Sequence, residues 1–553
     1  MKLSLPFFFI LTLAMLGIGC QSSKERDAIS TTHKKITKTG KITTEADDFS
    51  FHYIDTSLFY IGNIDNIPIG IKIYKAEKQL IEGIYYNLSQ ETTSSKHFSI
   101  YREKGKCKLT TPTISTHFIF DAIHDQQSIE ALIQIEQPKD SIIWLQLTPL
   151  IKPNIQECHS ERYTKELFSI EEITNIEYGK AKGYWTSMEP KDEKYLRMIA
   201  KNISKTSSPK NLALTLDLYL PKDDTIKQRP LIVLLHGGAF YIGDKSDIAT
   251  RTLCEYFAKL GYVTASINYR MGFKINKSSI QECGFKAIQD AHAAMRFLVH
   301  NAETYGIDTN ALFIGGASAG AITALNLVYM SENSRPSSTL FLGDKASSGN
   351  SLSEKFHIRG IINMWGAVYN LHDLDLIRVP ILSFHGTKDP IIPFNEGIPF
   401  SDINKLLGQS LFDKMYGSQA IHQRLDSLQV KNSFYPLTNA KHGPHKNNNK
   451  LTSCFYFIQE KTSQFIYDEI AYLPEITPSK ETPKNYLLAS REIAQTYWDV
   501  EGGFILSYDK HHVEVVWDCD KTTHKITATG FKQNGIAFHK EFYYTMPQIA
   551  TTN

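Results

Sequence analysis

The stretch ALFIGGASAG, residues 311–320, decides the fold. Its first four residues form a short apolar run that predicts a strand, and residues 319–330 have the composition of a helix. Between the two, Gly-Ala-Ser-Ala-Gly fits the pattern G-x-S-x-G. A sharp strand–turn–helix strains the middle serine and exposes its hydroxyl group. The stretch therefore predicts Ser318 as a nucleophile, and the alternative is a serine that only caps an ordinary helix.

The sequence around this stretch alternates between strands and helices. Leucines alternate through residues 212–220, and residues 230–235 form a continuous apolar run, as in a buried parallel strand. Further strands are expected at residues 262–268, 358–364 and 379–384, with helices at residues 253–260 and 288–302. Strands that alternate with helices predict a doubly wound, mostly parallel sheet with helices on both faces.

A glycine-rich segment follows the apolar run. His236-Gly237-Gly238-Ala239-Phe240 stands where a loop would leave the end of that strand. Hydrolysis of an ester passes through a tetrahedral oxyanion, which needs preorganised N–H donors, and glycines let the backbone approach the substrate closely. His236 is expected to hold this loop by hydrogen bonds rather than to react.

An acid and a base are needed to activate a serine. Asp389 follows the strand predicted at residues 379–384 and is the expected acid, whereas the rivals Asp373 and Asp375 precede that strand. His442 follows an apolar run at residues 434–437 and is the expected base, and His445 is the alternative.

With these motifs, residues 172–470 resemble α/β-hydrolase carboxylesterases of the His-Gly-Gly branch, which are grouped with feruloyl and acetyl-xylan esterases. The supporting stretches are residues 216–221, 236–243, 268–270, 316–320, 364–367 and 385–389, together with Asp290 and Ala293. The resemblance implies a metal-free acyl-enzyme mechanism with the triad Ser318, Asp389 and His442. By position in the family motif, it also implies that the N–H groups of Gly238, Ala239 and Ala319 form the oxyanion hole.

The regions on either side of this segment have the short, alternating apolar runs that are typical of β-strands. We expect an N-terminal all-β domain at residues 21–165, the catalytic domain at residues 166–473, and a linker with a small immunoglobulin-like β domain at residues 474–553. Prolines at 474, 478 and 483 suggest the linker. Trp498 and Trp517 could stack on sugar rings, although tryptophans in a small sandwich usually belong to its core.

The first twenty residues resemble the signal peptide of a bacterial lipoprotein. Lys2 precedes an apolar run that is too short for a membrane span, and Gly17-Ile18-Gly19 leads into Cys20. We expect lipidation of Cys20 in an exported envelope protein of Bacteroidetes type; a plain signal peptide is the alternative. The pairs Cys107–Cys158 and Cys254–Cys283 could form disulfides or stay as thiols.

The composition and the cysteine and histidine spacing argue against some classes of partner and cofactor. A net charge of +2 on 553 residues, without long charge runs, gives no reason to expect a nucleic-acid partner. No cysteine or histidine cluster has metal-ligand spacing, so no metal or other cofactor is expected. The expected partners are a small-molecule or glycan-linked ester and a membrane. The competing functions are a serine peptidase or lipase of the same fold, and an envelope carbohydrate-binding protein with an inactive hydrolase core.

Overall fold

The structure is a computed structural model. It describes residues 59–64, 67–77, 80–103, 106–110, 115–118, 123–125, 128–135, 141–150, 158, 160–186, 195–401, 411–447, 450–480, 482 and 484–545. The predicted signal segment with Cys20, and the side chain of Cys107, lie outside these residues.

An antiparallel sheet forms the N-terminal region, as its alternating sequence predicts. The first ten strands are β1 Phe59–Ile64, β2 Ile67–Glu77, β3 Leu80–Asn87, β4 Thr92–Thr93, β5 Lys96–Glu103, β6 Lys106–Thr110, β7 Ser115–Phe118, β8 Ile123–Asp125, β9 Ser128–Ile135 and β10 Ser141–Leu150. Nine of them form one sheet in the order β7-β6-β5-β3-β2-β1-β10-β9-β8. Ile69, Ile71 and Ile73 alternate along β2 and are all buried.

The middle of the chain supplies the next strands and the helices. The strands are β11 Ile170–Gly183, β12 Lys210–Pro221, β13 Arg229–Leu235, β14 Val263–Ile267, β15 Ile307–Ala317, β16 Ile358–Met364, β17 Ala367–Val368, β18 Ile381–Gly386, β19 Glu396–Gly397, β20 Met415–Gly417, β21 Asn432–Leu437, β22 Lys446–Asn447 and β23 Lys450–Leu451. The α-helices are α1 Tyr195–Asn202, α2 Ile248–Leu260, α3 Lys277–His300, α4 Ala302–Tyr305, α5 Ala319–Tyr329, α6 Ser418–Ser427 and α7 Ser453–Ala471. Short 3₁₀ turns lie at Ile203–Thr206, Glu332–Ser334, Ser337–Leu342 and Leu371–Asp375.

An eight-stranded sheet in the order β11-β12-β14-β13-β15-β16-β18-β21 is the centre of the molecule. The six strands β14, β13, β15, β16, β18 and β21 are parallel to one another. Strand β12 is antiparallel to both of its neighbours, β11 and β14. Helices α3, α5 and α6 pack on one face, and helices α2 and α7 pack on the other. The predicted doubly wound, mostly parallel sheet is therefore confirmed.

Local signals set the ends of these elements. All seven residues of β13 are buried, as its continuous apolar run predicts for a strand between two helical layers. Asp247 caps the N-terminus of helix α2, because its carboxylate accepts hydrogen bonds from two backbone N–H groups of the first turn. It ends at Gly261, which has φ of 107°, a conformation that favours glycine.

A β-sandwich forms the C-terminal region. Its strands are β24 Ile476–Pro478, β25 Asn485–Leu488, β26 Ile493–Glu501, β27 Gly503–Tyr508, β28 His512–Asp518, β29 Lys525–Lys532 and β30 Ala537–Tyr543. One sheet has the order β24-β25-β28-β27 and the other β26-β29-β30. The expected linker at its start is wrong in part, because β24 pairs with β25 and belongs to the sandwich. Trp498 and Trp517 are fully buried in its core, so they cannot stack on sugar rings.

The C-terminal sandwich contacts both other regions. Its strand β28 pairs with β4 from the N-terminal region. Ile536 lies in the same apolar cluster as helices α2 and α7 of the central unit. Lys532 Nζ donates to the carbonyl groups of Ile470 and Tyr472, at the C-terminal end of helix α7. These contacts show that the sandwich is docked on the central unit rather than tethered to it.

The structure bears on two predictions: the possible disulfide between Cys254 and Cys283, and the first boundary of the catalytic domain. Cys254 and Cys283 are free thiols, because α2 and α3 carry them on opposite faces of the central sheet. Tyr163 is fully buried in the cluster of α2, so contacts of the central unit begin slightly before residue 166.

Among the described residues, no helix is long and apolar enough to span a membrane.

Candidate active site

Ser318 lies on a strained turn between β15 and α5. Its φ of 55° and ψ of −117° are unusual for a residue with a side chain. The turn is tight: a Cβ atom on Gly316 or Gly320 would lie 2.3 or 2.2 Å from the carbonyl oxygen of Leu235. The Ser318 N–H donates to the Met364 carbonyl group at 2.9 Å, which fixes the turn against β16. Both glycines of G-x-S-x-G are therefore required sterically.

The structure brings the three residues predicted as a triad into one hydrogen-bonded line. His442 Nε2 lies 2.9 Å from Ser318 Oγ, and His442 Nδ1 lies 2.7 Å from Asp389 Oδ2. Asp389 follows β18 and His442 follows β21, and the ends of parallel strands meet at one edge of a sheet. In this arrangement the imidazole can accept the serine proton at Nε2 while the carboxylate fixes its tautomer.

The carboxylate of Asp389 is buried but remains ionised. Burial alone would raise its pKa, but hydrogen bonds from His385 and His442 outweigh that effect and hold the pKa well below the ordinary value. Its other oxygen accepts the backbone N–H groups of Ile391 and Ile392 at 2.8 and 3.1 Å. Asp389 can therefore stabilise a positive charge on His442 throughout the neutral pH range.

The alternative acids and base lie elsewhere. Asp373 accepts hydrogen bonds from Ser331 and Ser334, and Asp375 forms an ion pair with Arg424. His445 has no hydrogen bond to Ser318 among the contacts of the described residues; its ring packs on Trp365 at a centroid distance of 4.8 Å. Burial, with nearby Lys446, lowers the pKa of His445 to about 4, so its ring is neutral at pH 7.

The glycine-rich loop after β13 packs against the nucleophile. A Cβ atom on Gly237 would lie 3.5 Å from the Cβ atom of Ser318. Gly238, Ala239 and Phe240 have φ of 123°, 51° and 59°, three successive residues in conformations that favour glycine. Ala319 is the first residue of α5, so the helix itself makes no use of its N–H group. The residues predicted for the oxyanion hole thus all lie on the two segments that meet at Ser318.

A buried polar network, which the sequence analysis missed, anchors this loop. Lys245 Nζ forms an ion pair with Asp217, and the Lys245 N–H donates to Asn268 Oδ1 at 2.8 Å. The His236 ring stacks on Tyr269 at 4.5 Å, and His236 Nδ1 lies 2.8 Å from the Gly237 carbonyl oxygen. One sequence signal could have indicated the network: Asp217 is the single carboxylate of β12 and stands between two leucines.

A cavity of about 560 Å³ opens beside Ser318 and His442. Part of its lining is apolar: Leu234, Leu253, Met364, Trp365 and Phe455. The lining also includes the polar residues Asp247, Thr250, His445 and Lys446. The volume is within the range of sites for small organic ligands. Within the described part of the chain, no three His, Cys, Asp or Glu side chains are grouped so as to hold a metal ion.

The sheet, the strained serine turn and the order Ser, Asp, His along the chain define the α/β-hydrolase class. A family model described as BD-FAE matches residues 216–377, which include the glycine-rich loop and Ser318 but neither Asp389 nor His442.

Several curated proteins with similar sequences are esterases by name. Gut esterase 1 of Caenorhabditis elegans is 31% identical over 116 residues, which are 21% of this chain and 20% of that protein. Isoprenylcysteine alpha-carbonyl methylesterase of Arabidopsis thaliana is 24% identical over 251 residues, 39% of this chain and 54% of that protein. The chain therefore spans between a fifth and about half of the length of these relatives.

Solved structures with a similar fold include the apo form of Thermogutta terrifontis esterase 2. It is 20% identical, with a TM-score of 0.35, and the match covers 48% of this chain and 92% of that one.

Proposed function

We propose that the protein is a serine carboxylesterase that cleaves its substrate through an acyl-enzyme. The observation that carries this proposal is the hydrogen-bonded line from Asp389 through His442 to Ser318, next to the glycine-rich loop. A strained nucleophile turn, an ionised buried acid and a cavity at the hydroxyl group together match what ester hydrolysis requires.

The reaction begins when Ser318 Oγ attacks the ester carbonyl carbon and its proton passes to His442 Nε2. The carbonyl oxygen becomes an oxyanion, which the N–H groups of Gly238, Ala239 and Ala319 would stabilise. When the C–O bond to the alcohol breaks, His442 returns the proton to the leaving oxygen. Water, deprotonated by His442, then attacks the acyl-enzyme and releases the acid and the free Ser318 hydroxyl group.

The cavity supports a short-acyl or aromatic-acyl ester, including one linked to a glycan. Trp365 and Phe455 give flat apolar walls against which an aromatic acyl group could pack. His445, Thr250 and the Lys446–Asp247 ion pair add hydrogen-bonding groups to the same lining. Hydroxyl groups of a sugar or a phenol could hydrogen-bond to these polar side chains, whereas a long hydrocarbon chain could not.

A matched substrate panel tests the proposal. Wild-type protein and Ser318→Ala would be assayed on p-nitrophenyl acetate, butyrate and laurate, methyl ferulate, acetylated xylan and a peptide p-nitroanilide. We expect turnover of acetyl or aromatic esters, lost in Ser318→Ala. Preference for laurate would indicate a lipase, preference for the anilide a peptidase, and inactivity on every ester with intact folding would contradict the proposal.

We also propose that the protein is exported and held in the cell envelope by a lipid on Cys20. The support is the sequence: an apolar segment that follows Lys2 and ends in small residues before Cys20. Metabolic labelling with a fatty-acid analogue should mark the wild-type protein and not Cys20→Ser. Equal labelling of both proteins would show that the anchor is elsewhere, and no labelling of either would contradict the anchor.

A further inference from the structure

Besides His442, a second histidine, His385, contacts the carboxylate of Asp389. It is the penultimate residue of β18, and its side chain is fully buried. Its Nε2 atom lies 3.4 Å from Asp389 Oδ2 and 3.3 Å from the Ile392 carbonyl oxygen. The same carboxylate oxygen that accepts the Nδ1–H group of His442 thus faces a second imidazole.

The surroundings of His385 determine its tautomer. Both neighbours of Nε2, a carboxylate and a carbonyl oxygen, are acceptors, so Nε2 must carry the hydrogen. Nδ1 is then an acceptor, and it lies 2.8 Å from the hydroxyl oxygen of Ser418. Ser418 can donate to it because Ser418 Oγ itself accepts from Asn363 Nδ2 at 3.1 Å. Every group in this arrangement has a partner of the correct kind.

Hydrogen bonds, together with the 3.4 Å contact between His385 Nε2 and Asp389 Oδ2, form a continuous buried chain from strand β16 to the nucleophile. Its members in order are Asn363, Ser418, His385, Asp389, His442 and Ser318. Asn363 also accepts the Gly366 N–H at 2.8 Å and so fixes the turn after Met364, the residue whose carbonyl group binds the N–H of Ser318. The chain thus joins both supports of the reacting serine, and three of its members, Asn363, Ser418 and His385, do not line the cavity.

We propose that His385 is a positioning residue of this site, which holds the carboxylate of Asp389 in place and keeps it ionised. The proposal rests on the proposed hydrolase function, because its effect is exerted through Asp389 and His442. His385 touches neither the cavity nor Ser318, so it is expected to change the rate of the chemical step and not the binding of substrate.

The sign of the pH effect follows from the charges around Asp389. Among the described residues, only His385 and His442 lie within 4 Å of its carboxylate as charged or titratable partners. Burial raises the pKa of Asp389, and the contact with His385 lowers it. When His385 is removed, the effect of burial is balanced less well, so the pKa of Asp389 rises. The carboxylate charge, no longer shared with His385, then stabilises the protonated form of His442 more strongly. Both changes move the acid limb of the pH–rate profile to higher pH.

The test compares two amides at position 385. Gln is long enough to donate to Asp389, whereas Asn is one methylene shorter and cannot reach it. In His385→Asn we expect kcat to fall about 10-fold or more, KM to stay within about 2-fold, and the acid limb to rise by about half a pH unit or more. In His385→Gln we expect most of the rate and the wild-type acid limb to return.

His422→Asn is the matched control, because His422 is another buried histidine, on helix α6, and binds Asn432 rather than Asp389. It should keep the wild-type acid limb. The rate at which a fluorophosphonate labels Ser318 is measured at each pH as well, so that the test does not depend on a correct ester substrate. Equal profiles for His385→Asn and wild type would overturn the proposal while the hydrolase function stands. An acid-limb shift that Gln does not reverse, or that His422→Asn shares, would also overturn it.

Discussion

Lys245 Nζ donates to both carboxylate oxygens of Asp217, at 2.6 and 2.7 Å, and both side chains are buried. Lys245 comes two residues after Gly243, at the end of the glycine-rich loop, whereas Asp217 is on β12. The ion pair therefore ties the loop that packs on Ser318 to the central sheet.

Breaking this pair is predicted to destabilise the protein strongly. Asp217→Asn or Lys245→Met leaves one uncompensated buried charge, which costs about 3–5 kcal/mol. Replacing both residues by apolar side chains should recover much of that loss. Urea unfolding of the two single variants and the double variant measures the effect. Single variants with a loss under about 1 kcal/mol would show that the pair contributes little.

The conformation of Ala239 predicts opposite effects for two substitutions. At φ of 51°, Ala239→Gly should relieve strain and raise the unfolding free energy by up to about 1 kcal/mol, with kcat/KM within about threefold because the N–H group remains. Ala239→Val should lower both stability and activity, since a β-branched residue is poorly suited to positive φ. Thermal unfolding and ester assays measure both, and a stabilising valine would contradict the loop geometry.

The depressed pKa of His445 predicts a pH-dependent stability. The folded protein holds this ring neutral down to a pKa of about 4, whereas the unfolded chain binds the proton near the ordinary value of about 6.5. Stability is therefore fully present above pH 6.5 and falls as pH decreases toward 4, by roughly 3 kcal/mol. His445→Phe should flatten that slope in urea unfolding at several pH values. An unchanged slope would mean that other groups cause it.

The docked C-terminal sandwich predicts a stability defect without a catalytic one. A chain ending at Pro474 loses Ile536 from the α2–α7 cluster and the Lys532 contacts to Ile470 and Tyr472. We expect a lower melting temperature, with small-ester turnover of the folded fraction within about threefold of the full chain. A folded truncation that is a hundredfold slower would show that the sandwich completes the site.

Much of this arrangement follows from local sequence. The sequence predicts the strand before Ser318 and the glycines around it. It also predicts that Asp389 and His442 follow strands, and these residues meet because parallel strands place their ends at one edge of the sheet. The His385–Ser418–Asn363 chain is not readable, because its members are scattered over three elements. Nor is the docking of Ile536, since its apolar side chain could equally belong to the core of the sandwich. The proline-rich start of the sandwich looked like a linker, yet prolines are tolerated in an edge strand such as β24.

Covalent labelling of Ser318 is the most direct test of the central claim. A fluorophosphonate would react with the full-length protein, and mass spectrometry of peptides would locate the adduct. We expect a single adduct on Ser318, lost in Ser318→Ala and slowed by a large factor in His442→Ala, while His445→Phe labels at the wild-type rate. An adduct on another serine, or a folded wild-type protein that does not react, would contradict the assignment of Ser318 and His442.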